Sequence, residues 1–338
     1  MTVVTASAGS DAAEAVRAAL TFERTVPRSL VHRHALSEVF LTDSARVDDH
    51  RFVAAAQLPP SHAYYTDHTT PLSLDPLLLL ECCRQAETHA VHTHFGAPPG
   101  TKFVLQEWSM TLSDDASAPP AGGPVPVTID ATTQDAQWVA GTLRGLGYRM
   151  RVSASGRPLC ELTMRVKYVA DTVYAKLRGR ATGTTPTSEA YRDVETAGLV
   201  EPGRVGRARP ENVVLLDPVP AEDSVAARLR VAGGHPSLFD HPQDHVPGMV
   251  LMEAGRQAAL LSAGTFTGEG PGKWAPSGLR ASFGAYAELD APLTVRARRP
   301  AWRAADGCAS VLVGFEQDGR NVAEAAFSLK RAGADGGK

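Results

Sequence analysis

The fold is decided by the stretch MVLMEAGRQA at Met249–Ala258, which repeats an earlier stretch, LLLLECCRQA, at Leu77–Ala86. Both stretches are mostly apolar, and one acidic, one basic and one amide side chain recur in them at the same spacing. These polar residues correspond across the repeat as Glu81 with Glu253, Arg84 with Arg256, and Gln85 with Gln257. A helix that is apolar on nearly every face must be buried, so each stretch predicts a buried helix.

Three further segments recur in the same order along the chain. They are HAYYTDH (His62–His68) with HPSLFDH (His235–His241), RFVAAAQLP (Arg51–Pro59) with SVAARLRVA (Ser224–Ala232), and ASGRPLCELTMRV (Ala154–Val166) with QDGRNVAEAAFSL (Gln317–Leu329). Each similarity alone is weak, but four in one order across two halves indicate an internal duplication.

The chain has 338 residues, which predicts about two domains of roughly 150 residues each. We predict a flexible tail at residues 1–22, repeat 1 at 23–178, a linker at 179–210 and repeat 2 at 211–334. The linker is rich in Gly, Thr, Ser, Pro and Arg, and at most a short helix is expected in it, near Ser188–Thr196.

Composition excludes several classes of function. A formal net charge of −3 gives no strong field that would attract nucleic acid. No apolar run approaches the roughly 18 residues that a membrane span requires. The first 20 residues also lack the apolar stretch of a signal peptide. We therefore expect a cytoplasmic protein with neither nucleic acid nor a membrane as a partner.

Neither a metal nor another cofactor is expected. The chain has no Cys-x-x-Cys pair, so its cysteines are predicted to be buried reduced thiols rather than zinc ligands or a redox pair. They are Cys82, Cys83, Cys160 and Cys308. No Gly-rich nucleotide loop stands between a predicted strand and a helix, and no Gly-x-Ser-x-Gly nucleophile motif occurs.

Each copy contains one helix, followed by alternating segments typical of strands. In copy one, Asp75 is the predicted N-cap and Pro76 the first helical residue, and the helix extends to about His94. In copy two, Pro-Gly at 247–248 opens a helix that extends to about Ser262. Antiparallel strands after a buried helix predict a sheet wrapped around that helix. The predicted fold is α+β, a tandem (double) hot-dog with two antiparallel sheets, each wrapped around a central helix.

Three residues on the second helix carry the chemical signal. Glu253, Arg256 and Gln257 stand at i, i+3 and i+4 and share one helix face. A buried carboxylate must be paired or protonated, because desolvation disfavours its charge. The group is therefore either a structural ion pair or a catalytic site. The repetition of this group as Glu81, Arg84 and Gln85 does not distinguish these two alternatives, because a duplication copies structural ion pairs as readily as catalytic sites.

The loop before the second helix favours a site. His241 and His245 precede Gly248, and a glycine at a helix start exposes backbone N–H groups that suit the oxyanion of a thioester carbonyl. In copy one, Leu74-Asp75-Pro76-Leu77 stands where His245-Val246-Pro247-Gly248 does, without the glycine. Copy two is thus the favoured acyl site, and copy one a second site or a partner that completes the first.

Seven histidines fall into three groups. His62 and His235 begin the repeated heptapeptides and either pin a turn or take part in chemistry, whereas His68 and His241 are favoured for function. Three more are interpreted as surface or helix-end residues, not as a metal site: His89, His92 and His94.

Two resemblances extend these inferences. The segment His241–Leu260 resembles the 3-hydroxyacyl carrier-protein dehydratases, although Val246 replaces their methionine and the loop is about two residues shorter. The fuller resemblance is to the AfsA-like A-factor biosynthesis family, the gamma-butyrolactone synthases of actinomycetes, which have two hot-dog repeats. It is carried by LVHRHALSEVFLTD (Leu30–Asp43), CCRQAETHAVHTHFG (Cys82–Gly96) and HPSLFDHPQDHVPGMVLMEAGRQAA (His235–Ala259).

The family resemblance implies an acyl transfer that needs no cofactor. A beta-ketoacyl group passes from an acyl carrier protein thioester to the hydroxyl of dihydroxyacetone phosphate. The phosphorylated ester then closes to a butenolide, the precursor of a gamma-butyrolactone or furan signal. Arginine-rich segments at residues 144–151, 204–209 and 296–303 could provide a basic rim for an acidic carrier protein or a phosphate, but solvated strand faces are the expected explanation for most of these arginines. The two fused units imply a monomer with pseudo-dimeric repeats or a homodimer.

Residue roles follow as a hypothesis. In copy two, Glu253 removes the proton of the attacking hydroxyl, Arg256 orients that hydroxyl or holds the phosphate, and His241 assists proton transfer. The substrate is bound by the N–H of Gly248, by Gln257 and by His245. In copy one, Glu81, Arg84, Gln85 and His68 play the corresponding parts. The alternatives are a hot-dog dehydratase or thioesterase and a non-catalytic acyl-thioester-binding sensor or scaffold.

Overall fold

The computed structural model describes residues 12–69, 74–113, 123–178, 186–303 and 307–331. The chain forms two compact units. Unit 1 contains the described residues of Met1–Pro60, Leu78–Leu105 and Leu112–Gly179, and unit 2 those of Ser61–Leu77, Gln106–Thr111 and Arg180–Lys338. Unit 2 thus includes the first heptapeptide, although that heptapeptide belongs to sequence repeat 1. The repeat boundaries themselves stay predictions, and residues 1–11 and 179–185 of the predicted tail and linker lie outside the described residues.

The helices and strands are as follows. The α-helices are α1 (residues 12–18), α2 (Pro76–Thr93), α3 (Asp171–Leu177) and α4 (Gly248–Thr267). The strands are β1 (Leu41–Arg46), β2 (Arg51–Leu58), β3 (Lys102–Leu112), β4 (Val125–Val139), β5 (Thr142–Ala154), β6 (Arg157–Val169), β7 (Leu215–Pro220), β8 (Ser224–Leu229), β9 (Trp274–Phe283), β10 (Leu293–Arg298), β11 (Ala301–Arg303), β12 (Cys308–Gln317) and β13 (Arg320–Arg331). Short 3₁₀ helices cover Arg28–Val31, Leu36–Glu38, Ser188–Tyr191, Pro202–Val205, Pro210–Asn212 and Pro271–Lys273.

The sheet of unit 1 has the strand order β1-β2-β4-β5-β6, with every neighbouring pair antiparallel. In β6 the buried side chains alternate with exposed ones, as the period of two in the sequence predicts. Tyr168 on this strand hydrogen-bonds Glu87 on α2, and the backbone at the start of β1 bonds Gln85 on the same helix. The first and the last strand in this order, β1 and β6, therefore both hydrogen-bond to α2.

Helix α2 begins as predicted. The backbone N–H of Leu77 donates to Asp75 Oδ1 at 2.7 Å, which confirms Asp75 as the N-cap and Pro76 as the first helical residue. The helix ends at Thr93, one residue before the predicted end. Its apolar residues are buried, which confirms the prediction of a buried helix: Leu77, Leu78, Leu79, Leu80, Cys82, Cys83, Ala86, Ala90 and Val91.

The sheet of unit 2 begins with the Gln106–Thr111 part of β3 and continues β9-β13-β12-β10-β8-β7. Helix α4 contacts six strands of this sheet, β7, β8, β9, β10, β12 and β13, so the sheet wraps around the helix. Gly255 permits the close approach, because a Cβ there would lie 2.6 Å from Phe327 Cε2. The helix runs to Thr267, past the predicted end near Ser262, because Leu260, Leu261 and Ala263 continue its buried face up to the left-handed Gly268. These arrangements confirm the α+β double hot-dog.

The predicted linker has more structure than its composition indicates. The 3₁₀ helix Ser188–Tyr191 confirms the short helix expected there, but two further 3₁₀ helices, Pro202–Val205 and Pro210–Asn212, were not predicted. Both begin with a proline, whose fixed φ suits the first helical position. They border Arg207, which has no exposed surface.

Several sequence-based expectations concern absences or burial. All four cysteine thiols are buried and none forms a disulfide, as predicted. Within the described residues, no helix is long and apolar enough to cross a membrane. No cluster of three or more His, Cys, Asp or Glu side chains that could hold a metal ion occurs in the described part of the chain.

Candidate functional site

Glu253 lies at the centre of a buried polar cluster in unit 2. Arg256 donates to it through Nε (3.0 Å) and Nη2 (2.7 Å), and Arg207 donates through Nε at 3.0 Å. The Tyr64 hydroxyl donates to Oε2 at 3.1 Å, and the Gln257 side-chain amide donates to Oε1. Both carboxylate oxygens are therefore occupied by protein donors.

These donors fix the charge of the carboxylate. Burial alone would raise the pKa of Glu253, but the guanidinium groups of Arg207 and Arg256 lower it to about 2. Burial and the nearby Glu253 charge raise the pKa of Tyr64 well above its ordinary value, so this hydroxyl keeps its proton and acts as a donor. Glu253 is thus a fully ionised, fully hydrogen-bonded carboxylate at neutral pH.

Arg207 reaches this cluster from the predicted linker. The 3₁₀ helix Pro202–Val205 ends at Gly206, whose φ of 75° lies in the left-handed region, and the N–H of Arg207 closes the turn on Pro202 O at 3.0 Å. The Arg207 guanidinium then lies over the ring of Tyr64, with Cζ 4.4 Å from the ring centroid. The sequence analysis assigned residues 204–209 to a basic rim or to solvated strand faces, which is wrong for Arg207, because this side chain has no exposed surface and bonds Glu253.

The first heptapeptide is held in place by the same segment. Arg207 donates to the backbone carbonyl of Asp67 at 3.2 Å, and Asn212 Nδ2 donates to Asp67 Oδ2 at 2.7 Å. Directly after His68, the N–H of Thr69 donates to Gly206 O at 3.2 Å. The chain is therefore fixed on both sides of His68.

His62 and His235 pin turns, which confirms that interpretation of the two residues. His62 Nδ1 accepts from the N–H groups of Tyr64 and Tyr65, each at 3.2 Å. His235 Nδ1 accepts from the N–H groups of Ser237 and Leu238, also at 3.2 Å. Both heptapeptides therefore have the same local structure, as their sequence similarity indicates.

His68 and Asp75 form a buried pair in unit 2. His68 Nε2 lies 2.8 Å from Asp75 Oδ2, and the His68 side chain is 6% exposed. Burial alone would raise the pKa of Asp75, but His68 and then the guanidinium groups of Arg256 and Arg207 bring it below its ordinary value. Asp75 therefore combines two functions: it caps α2 through Oδ1 and holds His68 through Oδ2.

One nitrogen of this pair is left without a partner. Asp75 is ionised and can only accept, so His68 Nε2 carries the hydrogen. His68 Nδ1 is buried and has no hydrogen-bond partner among the described residues. Buried polar groups are nearly always paired, so an unpaired one calls for an explanation.

Unit 1 contains a second carboxylate cluster of the same design. Glu81 has no exposed surface and accepts from Arg84 Nε at 2.8 Å, from Arg33 Nε at 3.1 Å and from Gln85 Nε2 at 2.7 Å. Burial alone would raise the pKa of Glu81, but Arg33 and Arg84 lower it to about 2. The Arg84 side chain remains 21% exposed, whereas that of Arg256 is 2% exposed.

Arg33 and Arg207 occupy equivalent positions in the two repeats, and the sequence comparison overlooked this correspondence. Each follows a 3₁₀ helix and a left-handed residue, in Val31-His32-Arg33 and Val205-Gly206-Arg207. Arg33 precedes its glutamate by 48 residues and Arg207 precedes its own by 46. The signal in the sequence is therefore a short Val-x-Arg match at nearly constant distance from the helix.

Gln85 and Gln257 join each helix to the chain before its first strand. Gln257 Oε1 accepts from the N–H of Val214 at 3.0 Å, and Nε2 donates to Asn212 O at 2.7 Å. Gln85 bonds Phe40, Leu41 and Glu38 in the same way. Their roles in substrate binding stay predictions, and in the structure their amides have protein partners.

The predicted histidines before α4 have protein partners. His241 Nε2 lies 2.6 Å from Gln243 Nε2, and Nδ1 lies 3.3 Å from Asp240 Oδ2. His245 Nδ1 lies 2.6 Å from Asp244 Oδ1, and its ring packs edge-on against Tyr286. Both side chains are part-exposed, and their roles stay predictions.

Gly248 is the first residue of α4, as expected, and its N-cap Pro247 makes no side-chain cap hydrogen bond. The sequence alignment of the two helix starts was wrong by one residue, because α2 begins at Pro76 and α4 at Gly248. Asp75 therefore corresponds to Pro247. The oxyanion role of Gly248 stays a prediction.

The structure groups the predicted residues differently from the sequence. Glu253, Arg256 and Gln257 are brought together in unit 2, and Glu81, Arg84 and Gln85 in unit 1. His68 belongs to unit 2, whereas Glu81 and Arg84, with which it was grouped, belong to unit 1. His68 instead pairs with Asp75, which was predicted only as a helix cap.

Comparisons with known proteins agree with this architecture. A model of the A-factor biosynthesis hotdog domain matches residues 15–170 and 189–331. The 2-oxo-3-(phosphooxy)propyl 3-oxoalkanoate synthase of Streptomyces virginiae is 34% identical, covering 88% of this chain and 95% of the relative. The synthase of the same name from Streptomyces coelicolor is 32% identical, covering 95% of each.

Among solved structures, the 12:0-ACP thioesterase from Umbellularia californica has a TM-score of 0.45 and 9% identity, covering 83% of this chain and 94% of the thioesterase. The family model matches both halves of the chain. The chain belongs to the A-factor biosynthesis hot-dog family.

Proposed function

We propose that the chain is an acyltransferase that condenses a beta-ketoacyl thioester with the hydroxyl of dihydroxyacetone phosphate. The observation that carries the proposal is the 34% identity to a 2-oxo-3-(phosphooxy)propyl 3-oxoalkanoate synthase over 88% of this chain. In the reaction, the hydroxyl oxygen bonds to the thioester carbonyl carbon, the carbon–sulfur bond breaks, and the hydroxyl proton ends on the departing thiol.

The cluster in unit 2 supports an acyl transfer at that place. Arg256 donates to Glu253 through Nε and Nη2, while its Nη1 makes no hydrogen bond to any described residue. A guanidinium in a buried site interacts strongly with negative charge, because the local dielectric constant is low. Arg256 accordingly either orients the attacking hydroxyl or holds the phosphate.

Glu253 is better suited to positioning than to proton transfer. A general base works best when its pKa lies near the working pH, and the pKa of Glu253 is about 2. Its oxygens already accept from Arg207, Arg256 and Tyr64. We therefore propose that Glu253 holds the two guanidinium groups in place, and the role of general base predicted for it requires another candidate.

The acyl donor is proposed to be acyl carrier protein, and the product to enter the synthesis of a gamma-butyrolactone-type signal. The enzyme is proposed to act in the cytoplasm, as a monomer with pseudo-dimeric repeats or as a homodimer. No step of the transfer requires a cofactor, because an ester forms from a thioester without a change of oxidation state.

Mass spectrometry of the products tests the reaction. The protein is incubated with a beta-ketoacyl carrier-protein thioester, with and without dihydroxyacetone phosphate. We expect a phosphorylated ester that forms only when dihydroxyacetone phosphate is present. Free beta-keto acid at the same rate in both samples would identify a thioesterase, and an unchanged thioester would indicate a binding protein.

A further inference from the structure

We infer that His68 is the general base of the acyl transfer and that Asp75 positions it. This inference rests on the proposed function and gives the proton of the attacking hydroxyl a destination. It assigns the role to a residue of the first heptapeptide, within the same unit as Glu253 and Arg256.

The hydrogen-bond pattern of His68 fits a base. The carboxylate of Asp75 accepts from Nε2, which fixes the tautomer and leaves a lone pair on Nδ1. This nitrogen is buried in a side chain that is 6% exposed, and it has no partner among the described residues. A buried acceptor without a donor costs free energy, so the geometry points to a ligand hydroxyl as the missing donor.

The backbone around His68 is rigidly held, as positioning for catalysis requires. Asp67 is bonded by Arg207 and Asn212, and Thr69 is bonded to Gly206. Arg207 also bonds Glu253, so one guanidinium connects the loop of His68 to the carboxylate cluster on α4.

Charged groups near the pair suit the reaction. Asp75 interacts electrostatically with both Arg256 and Arg207, and Tyr64 interacts with Asp75 and Glu253. Two carboxylates and two guanidinium groups make the cluster electrically balanced when His68 is neutral. A neutral imidazole can accept a proton, and the nearby guanidinium of Arg256 can stabilise the oxyanion that forms.

Comparison with the second heptapeptide strengthens the assignment. His241 occupies the position that corresponds to His68, but both of its ring nitrogens face protein groups, Asp240 and Gln243. Of the two repeated histidines, His68 is therefore the one with a nitrogen that a substrate can use.

The proton balance is complete. His68 Nδ1 takes the proton of the attacking hydroxyl while the hydroxyl oxygen bonds to the thioester carbonyl carbon. The tetrahedral intermediate then expels the sulfur, and the imidazolium returns the proton to that sulfur as the thiol leaves. His68 ends neutral, and Asp75 stays ionised throughout.

The test compares His68→Gln and Asp75→Asn in the full chain. Thiol release and ester formation are measured with a beta-ketoacyl carrier-protein thioester and dihydroxyacetone phosphate. We expect kcat to fall about 10²- to 10⁴-fold in His68→Gln, with KM nearly unchanged, because a general base acts in the transition state. Asp75→Asn should show a similar loss, because the amide cannot hold the required tautomer.

Asp75→Asn also separates catalysis from structure. Asparagine is as good an N-cap as aspartate, so α2 should keep its cap, and Asp75→Asn should remain folded at the assay temperature, which its melting curve checks. If His68→Gln fails to fold, the kcat of Asp75→Asn alone tests the inference. The control is His94→Gln, the same change at a histidine whose Nε2 already bonds Ser44 Oγ, and it should keep full activity.

The pH profile provides a readout that a structural role would not change. In the wild type, kcat/KM should fall at acidic pH, where a general base is protonated, and His68→Gln should lose this limb. The titratable and charged groups that act on Asp75 are His68, Arg256 and Arg207, and Tyr64 also interacts with Asp75.

The outcomes distinguish this inference from the proposed function. If the wild type forms the ester and His68→Gln keeps more than a third of the rate, the inference is overturned and the function stands. If the wild type yields only free acid, the function fails, and the inference stands only if His68→Gln loses that hydrolysis. A wild type that releases no thiol overturns both.

Discussion

The carboxylate clusters of the two units share a plan and differ in what surrounds it. In each, a buried glutamate is held by the arginine three residues later and by a second arginine that follows a 3₁₀ helix. Glu253 also receives the hydroxyl of Tyr64, and its arginine is almost fully buried, whereas Arg84 is 21% exposed. The shared ion pairs are thus a structural element that the duplication preserved. The residues that differ between the copies are the better guide to catalytic chemistry.

Two positions show this difference most clearly. Asp75 caps α2 and hydrogen-bonds His68, whereas Pro247, the corresponding N-cap of α4, has no side chain that could do so. Glu87 on α2 is a buried carboxyl, whereas the corresponding residue of α4 is Ala259. Each of these residues occurs in only one copy, so a variant there tests one unit without touching the shared plan.

Removing the carboxylate should produce the largest effect and should do so unequally. In Glu253→Ala, two buried guanidinium groups lose their partner, and we expect a loss of about 3 to 5 kcal/mol in the free energy of unfolding. Glu81→Ala should lose less, because the exposed part of Arg84 can be hydrated. Urea unfolding of both variants measures the difference. Equal losses, or a larger one in Glu81→Ala, would show that the clusters do not differ in this way.

Acid should weaken both clusters together. The folded pKa of Glu81 and of Glu253 is about 2, below the ordinary value of 4.5. The stabilisation is therefore fully present above about pH 4.5 and is lost as pH falls towards 2. Each carboxylate contributes on the order of 3 kcal/mol by this linkage. Urea unfolding at pH 6, 4 and 3 should show a steep decline, and a flat profile would contradict the ion pairing of both glutamates.

Glu87 should give the free energy of unfolding the opposite dependence on pH. This effect should occur only in the first copy, because the second copy has Ala259 at the corresponding position. Burial raises its pKa to about 7, although Tyr168 and Thr88 donate to it. Between about pH 4.5 and 7 the unfolded chain loses this proton while the folded chain keeps it, so stability falls as pH rises and levels off above 7. Glu87→Gln should remove that slope and add about 1 to 3 kcal/mol at pH 8. A difference from the wild type that is the same at pH 5 and pH 8 would be incompatible with this titration.

Tyr64→Phe should have the smallest effect. It removes one hydrogen bond to a charged group in unit 2 but keeps the ring under Arg207, so we expect a loss of about 1 to 2 kcal/mol in the free energy of unfolding. Thermal and urea unfolding provide the measurement. A loss as large as that of Glu253→Ala would mean that Tyr64, and not the arginines, holds the carboxylate.

Much of the fold could be predicted from the sequence because its signals are local. The apolar helices, the cap at Asp75 and the alternating strands follow from periodicity and from residue chemistry over a few positions. The duplication was visible because four segments recur in order. Glu253 and Arg256 were found together because they are one helical turn apart.

The rest of the site depends on contacts that sequence spacing does not encode. Arg207 lies 46 residues before Glu253, in a segment whose Gly- and Pro-rich composition is typical of a linker. The heptapeptide at His62–His68 belongs to the first repeat by sequence but to unit 2 by packing. The sequence predicted Asp75 as a helix cap, but it did not predict the hydrogen bond between Asp75 Oδ2 and His68, which only the folded chain shows.

The protonation of His68 can be observed by nitrogen-15 NMR of the imidazole groups in the full-length protein, with His68→Gln identifying the signals. At pH 8 we expect Nε2 protonated and Nδ1 unprotonated, and we expect the Nδ1 signal to shift when dihydroxyacetone phosphate is added. A protonated Nδ1, or a signal that does not respond to dihydroxyacetone phosphate, would contradict the assignment of the chemistry to His68 and Asp75.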